Sequence, residues 1–121
     1  MPPDEPAIPD LLPLPAASFQ ILLALAGQDL HGYGIMLEIE ERTGGEVRMS
    51  AGTLYRSIQR MLEQGLIVER TKRPAPADDD PRRRYYGITK LGRAVAGAEA
   101  SRLAELVRAA SAVGLHPRRA T

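Results

Sequence analysis

Cysteine is absent from the 121 residues, which excludes disulfides, thiolate catalysis and Cys-ligated zinc. Tryptophan is absent too, and aromatic residues make up 4% of the chain. No apolar run approaches the ~18–20 residues of a membrane span; residues 21–26 are apolar throughout but far too short. The amino terminus is acidic and proline-rich, the opposite of a secretory signal with its basic start. The expected location is the cytoplasm, with no membrane partner. His31 and His116 are the only histidines. Local spacing offers no nucleophile–base pair and no carboxylate dyad. The chain is therefore not expected to be an enzyme, and no metal or other cofactor is expected.

What is present suits one domain of modest size, since domains cluster near ~100–150 residues. The formal net charge of +1 hides a segregation. Residues 1–47 carry one base and eight acids, net −7, whereas residues 48–93 carry eleven bases and five acids, net +6. Residues 94–121 add four bases and two acids, net +2. Such polarity suggests one face built for a polyanion and another kept away from it.

Proline marks the boundaries. Six of the ten prolines lie in residues 1–15 and three in residues 74–81. Residues 1–14 read as a disordered arm, because proline removes backbone donors and nothing periodic recruits the apolar residues. Pro15 suits a first helical turn, after which Phe19, Leu22, Leu23 and Ala26 recur at helical spacing until Gly27. A second helix is expected from about His31 to Thr43, with Ile35, Met36 and Ile39 inward and Gly44-Gly45 as its stop. Residues 47–49 read as a short extended link. Ser50 is the N-cap of a third helix that reaches about Gln64, with Gly65 ending it. Residues 66–73 and 82–88 then form a hairpin around a polar, proline-broken tip. Thr89 caps a last helix that ends near Gly114.

This order is mainly α with a small β-hairpin, and it is the order of a winged helix-turn-helix with a carboxy-terminal helix added. The divisions are an arm over 1–14, the winged domain over 15–88, a dimerisation helix over 89–114 and a basic tail over 115–121. The last helix carries Leu91, Val95, Leu103, Leu106, Val107, Ala110 and Val113 on its apolar side. That stripe spans more turns than so small a domain can cover, which points to a two-fold homodimer. A helix folded back over its own domain is the other reading.

Chemistry concentrates in two places. On the third helix, Leu54, Ile58, Met61 and Leu62 gather on one side as core. Gly52, Arg56, Gln59, Arg60 and Glu63 lie opposite, with Thr53 at the edge. Arginine can bridge two acceptors of guanine and glutamine two groups of adenine, so Arg56, Gln59 and Arg60 can read bases or hold phosphates. An ordinary solvated helix face has the same composition. Ser50, Gly52 and Thr53 stand at a helix start, where backbone N–H groups favour an anion. On the hairpin, Arg82-Arg83-Arg84-Tyr85-Tyr86 places Arg83 and Tyr85 outward by alternation and Tyr86 inward. Arginines on a wing track phosphates or enter a minor groove; a charged edge strand that resists pairing is the plainer alternative. Lys72 and Arg73 reinforce the basic surface. Asp78-Asp79-Asp80 makes a poor metal cage and reads as a solvated turn. His31-Gly32-Tyr33-Gly34 serves either a phosphate or a tight helix–helix corner.

Taken in order, His31-Gly32-Tyr33, Ser50-Ala51-Gly52-Thr53-Leu54-Tyr55, Met61-Leu62-Glu63-Gln64-Gly65-Leu66-Ile67, Arg83-Arg84-Tyr85-Tyr86 and Ile88-Thr89-Lys90-Leu91-Gly92 resemble the PadR family of bacterial transcriptional regulators. The resemblance runs from about Leu14 through Ala110. It implies a winged-helix repressor that dimerises through its last helix, often with help from the first. It also implies double-stranded DNA with two-fold symmetry as partner and release by a small-molecule effector. By position, Tyr33, Ser50, Gly52, Thr53, Tyr55, Arg56 and Arg60 fall where the family meets DNA, and Arg83 to Tyr85 fall on its wing. Ala51 and Arg56 depart from the family by standing where many members carry proline. The wing tip is longer and lacks the usual glycine turn, and the last helix has no aromatic for an effector to stack on. Two rival functions remain at this point: a winged-helix protein-interaction module, and a small-molecule sensor without a DNA role.

Overall fold

The computed structural model describes residues 7–70 and 83–118. Helix α1 spans Ala16–Gly27, strand β1 Leu30–His31, α2 Gly32–Arg42 and α3 Ala51–Gln64. Strands β2, Ile67–Arg70, and β3, Tyr85–Ile88, follow, and α4 runs over Lys90–Ala112. This is a mainly helical winged fold with a small antiparallel sheet in the order β1-β3-β2. Among the described residues, no helix is long and apolar enough to cross a membrane.

The caps explain the helix limits. Ser50 accepts the Thr53 N–H at 3.2 Å, and Thr89 accepts the Gly92 N–H at 2.9 Å. Each satisfies a donor that the first turn leaves without a partner. Gly65 closes α3 at φ +77°, left-handed backbone that glycine adopts without cost. The chain can then turn straight into β2.

Ile21, Leu22, Leu25, Ile35, Ile39, Leu54, Ile58, Met61, Leu66 and Val95 form the centre of one core, with Tyr86 and Ile88 supplied by β3. Each fully buried aliphatic side chain contributes roughly 1.5–3 kcal/mol. The α3 face expected to be core is core, Leu62 being half-buried. The phase of α1 differs from expectation. Its buried side is Ser18, Ile21, Leu22, Ala24 and Leu25, while Leu23 and Ala26 are exposed. A helix apolar on nearly every side gives its spacing no preferred direction.

Three further expectations are corrected. The extended link at 47–49 is not a strand; the third strand is Leu30–His31, whose residues pair with Tyr86 and Tyr85. The arm is ordered from residue 7: Ile8–Leu11 forms a 3-10 turn, Ile8, Leu11 and Leu12 pack on the core, and Leu14 is buried. Proline denies this segment a helix or sheet but leaves its leucines free to pack. Residues 1–6 lie outside the described residues.

The third correction concerns α4. Val95 belongs to the core of its own domain, fully buried together with Gly92 and Glu99 on one stripe. It is therefore not available to a partner. Leu91 also packs on that core. Leu103 and Ala110 are half-buried, and Leu106, Val107 and Val113 are exposed, as is Leu115 beyond the helix. The helix changes character after Glu99, when it runs out of domain to lie against.

Candidate nucleic-acid interface

The outward side of α3 is a continuous polar surface. Gly52, Tyr55, Arg56, Gln59, Arg60 and Glu63 are exposed, and Thr53 is half-buried at its margin. Gln59 donates to Glu63 at 3.3 Å. Among the described residues no carboxylate pairs with Arg56 or Arg60, whereas Arg42, Arg48, Arg70, Arg84, Arg102 and Arg108 all have acidic partners. The Arg56 guanidinium lies back over the first turn; a Cβ at Gly52 would sit 3.3 Å from it. Gly52 thus leaves the helix start open for close approach, and keeps room for that arginine.

Beside α3 is a cleft of about 330 Å³ lined by His31, Gly32, Tyr33, Tyr55, Arg83, Arg84 and Tyr86. Its floor depends on Gly32, because any side chain there would collide with the Tyr55 hydroxyl. His31 caps α2, with Nδ1 accepting the Gly34 N–H at 3.0 Å. Its other ring nitrogen lies 3.1 Å from Arg83 Nη1. The ring is parallel to Tyr33 at 6.5 Å and edge-on to Tyr85 at 5.2 Å. Two guanidinium groups, two exposed tyrosines and a helix start therefore meet in one open groove. That combination attracts an anion attached to something flat or extended.

Burial pushes the Tyr86 hydroxyl above the ordinary phenol range, reinforced by the nearby Glu69 carboxylate and opposed by Arg84. It stays protonated at neutral pH and able to donate. Glu69 is 4.0 Å from Arg84, and Asp29 is 3.4 Å from Arg70. The base of the wing is thus held by ion pairs that leave the α3 cations untouched.

The structure brings Tyr33, Tyr55, Arg83 and Arg84 to this cleft. Ser50 and Thr53 line a second cleft, of about 360 Å³, between the amino ends of α1 and α3. Gly52, Arg56, Gln59 and Arg60 stand on the exposed helix face. Tyr85 does not point outward as alternation implied: it is 5% exposed, under the edge of His31. All four residues of β3 are buried, Tyr85 with the His31 side chain of the neighbouring strand set against its ring. Lys72 and Arg82, like Arg73 and the acidic tip at 78–80, lie outside the described residues. His31, which the sequence offers for a phosphate or for a corner, lines the first cleft, whereas Arg48 is a neighbour that the sequence reading does not single out. Arg48 joins Ser50 and Thr53 in the second cleft, and its place two residues before the cap was the available signal. Among the described residues no His, Cys, Asp and Glu grouping could hold a metal.

Comparison with known proteins agrees with this geometry. Residues 21–98 match the transcriptional regulator PadR-like family. Protein X of Lysinibacillus sphaericus is 36% identical over 74 residues, 61% of this chain and 65% of that protein. A 37.1 kDa protein of transposon TN4556 from Streptomyces fradiae is 32% identical over 90 residues, 74% of this chain and 24% of that protein. The chain thus spans just under two thirds of one curated relative and about a quarter of the other.

A PadR family transcription regulator from Clostridium difficile superposes with a TM-score of 0.69 at 22% identity, over 82% of this chain and 98% of that one. Bacillus subtilis PadR in complex with operator DNA superposes at 0.57 and 20% identity, over 69% of this chain and 47% of that one. These likenesses establish a shared fold. With the family match covering more than half its length, the chain belongs to the PadR-like family of transcriptional regulators.

Proposed function

We propose that the chain is a sequence-specific DNA-binding regulator that works as a homodimer, with α3 entering the major groove and the base of the wing gripping the flanking backbone. One observation carries this reading. The exposed face of α3 presents Arg56 and Arg60, with no carboxylate partner among the described residues, and Gln59 hydrogen-bonded to Glu63, beside a cleft containing Tyr33, Arg83 and Arg84. Arginine and glutamine there have the donors and acceptors that base edges require. Ser50, Gly52, Thr53 and Tyr55 lie around the helix start, where phosphate oxygens are favoured.

The homodimer reading is supported by Leu106, Val107 and Val113, exposed along the end of α4. Leu103 and Ala110 lie beside them, half-buried. Two such helices paired about a two-fold axis would place the third helices one turn of DNA apart, ~34 Å, on a symmetric operator. Repression follows from occupancy of that operator, and a small-molecule effector would relieve it by favouring a different separation of the two halves. The bacterial PadR resolved with operator DNA supports the DNA partner by analogy of fold.

The test is fluorescence anisotropy with duplexes selected from a random-sequence library, against an unselected duplex, at physiological salt. The reading expects tighter binding to the selected duplex by ~10³-fold or more. Equal affinity for the two would overturn it. Arg60→Ala then separates roles: uniform weakening marks a phosphate contact, and relaxed preference at one position marks a base contact.

A further inference from the structure

The ordered arm and the last helix meet at one buried carboxylate. Glu99 is 3% exposed, the one charged side chain buried among the described residues. Arg102 holds it with two hydrogen bonds, 2.9 Å to Oε1 and 2.7 Å to Oε2. Oε1 also accepts the backbone N–H of Leu14 at 3.3 Å, from a residue 85 positions away in the chain. Next to this contact the Ile8–Leu11 turn packs on α4, and Leu14 is itself buried.

The Glu99 carboxylate is a poor source of stability, since its partner Arg102 stands on the same helix and is partly exposed, which leaves the Leu14 N–H as its tie to the rest of the domain. Its value is directional: it is satisfied in one arrangement and unsatisfied in neighbouring ones. Its position gives that direction a meaning. Glu99 is the last fully buried residue of α4. Beyond it, the remaining turns leave the domain.

We propose that Glu99 and the arm form a latch that fixes the angle at which α4 leaves the winged domain, and thereby the separation of the two third helices in the dimer. Glu99 is thus a positioning residue for the spacing of operator half-sites. The proposal rests on the homodimeric DNA-binding reading above. Its lever arm is short but sufficient. The 13 residues from 100 to the end of α4 make a rod of about 20 Å, at ~1.5 Å per residue. A swing of about 10° at its base moves the far end by ~3.5 Å, close to the ~3.4 Å rise of one base pair. Two-fold symmetry doubles the displacement between the α3 helices.

The absence of cysteine makes the test clean, because one introduced thiol is the only labelling site. A nitroxide at Glu63→Cys, on the exposed side of α3, reports the distance between the two copies of α3 by pulsed electron spin resonance in the full-length chain. With Glu99 intact, one narrow distance is expected. Glu99→Leu fills the volume without an acceptor and should shift or broaden that distance by about 5–7 Å. Glu99→Gln keeps an acceptor for the Leu14 N–H and should stay close to the parent. Ile8→Ala with Leu11→Ala loosens the arm without altering α4, and should reproduce the Glu99→Leu result even if that variant fails to fold. A parent-like distance in Glu99→Leu, or in the arm variant, overturns the latch. Failure to detect any dipolar coupling in the parent overturns the dimer reading and the latch with it.

Discussion

At the scale of single residues, two glycines of α4 have opposite meanings. A Cβ at Gly92 would run into the Leu66 carbonyl oxygen, whereas nothing lies within 4 Å of one at Gly97. Leu66 O already accepts from the Thr89 N–H at 3.1 Å and the Thr89 hydroxyl at 3.0 Å, so it has little freedom to move. Gly92→Ala should therefore destabilise the chain by about 1–3 kcal/mol. Gly97→Ala should stabilise it by about 0.5–1 kcal/mol through helix propensity alone. Urea denaturation of both variants measures the contrast, and equal effects would contradict it.

Glu99 makes a prediction in pH. The Arg102 hydrogen bonds, aided by the Leu14 N–H and only partly offset by burial, hold its carboxyl below the usual carboxylate range. A carboxyl depressed on folding contributes stability that is complete above its unfolded pKa and is lost as pH falls through the folded one. The stability gap between the parent and Glu99→Gln should thus be largest near neutrality and shrink steadily below about pH 4. Thermal melts across that range test it; a gap that widens in acid would reverse the sign.

At the scale of elements, α3 was legible in the sequence nearly to the residue because three independent signals agree on it. Ser50 caps it, Leu54, Ile58 and Met61 repeat on one face, and Gly65 ends it. Ser50→Ala should cost about 1 kcal/mol, read as a lower denaturation midpoint with an unchanged denaturant slope. The strand Leu30–His31 was not legible, because two residues carry no period. It exists only through its pairing with β3, more than fifty positions away. The same pairing misled the reading of Tyr85. Alternation assigns faces correctly but says nothing of whether the second face is covered, and here His31 covers it. In the arm, the proline content predicts disorder, whereas Leu11, Leu12 and Leu14 pack on a core contributed by elements far away in sequence.

The candidate site divides in the same way. Arg56, Gln59 and Arg60 follow from helical spacing alone, and their exposure is as expected. The convergence of Tyr33, Tyr55 and Arg83 on one cleft required the fold, since they come from three elements. What joins them is the Gly32 gap into which the Tyr55 hydroxyl fits.

For the whole molecule, the distribution of charge matters more than its sum. Eleven bases fall in residues 48–93, the segment containing α3 and the wing, although the net charge is +1. A dimer neutralising about eight phosphates should lose affinity with a log–log salt slope near −7, roughly four orders of magnitude between 50 and 200 mM salt. Titrations at four salt concentrations give the slope directly. A slope near zero would mean that the basic segment does not meet the backbone.

The exposed end of α4 has a further consequence for how such a regulator responds to its own abundance. Leu106, Val107 and Val113 are 48% to 74% exposed in the single chain, and the helix around them is rich in alanine. A seam built from so few large side chains is one that can come apart. In the proposed dimer, operator occupancy would rise as the square of the amount of protein below the concentration of pairing, and linearly above it. Dilution would then fall hardest on an occupied operator, so in the proposed dimer the strength of this seam would set the amount of protein at which the operator fills.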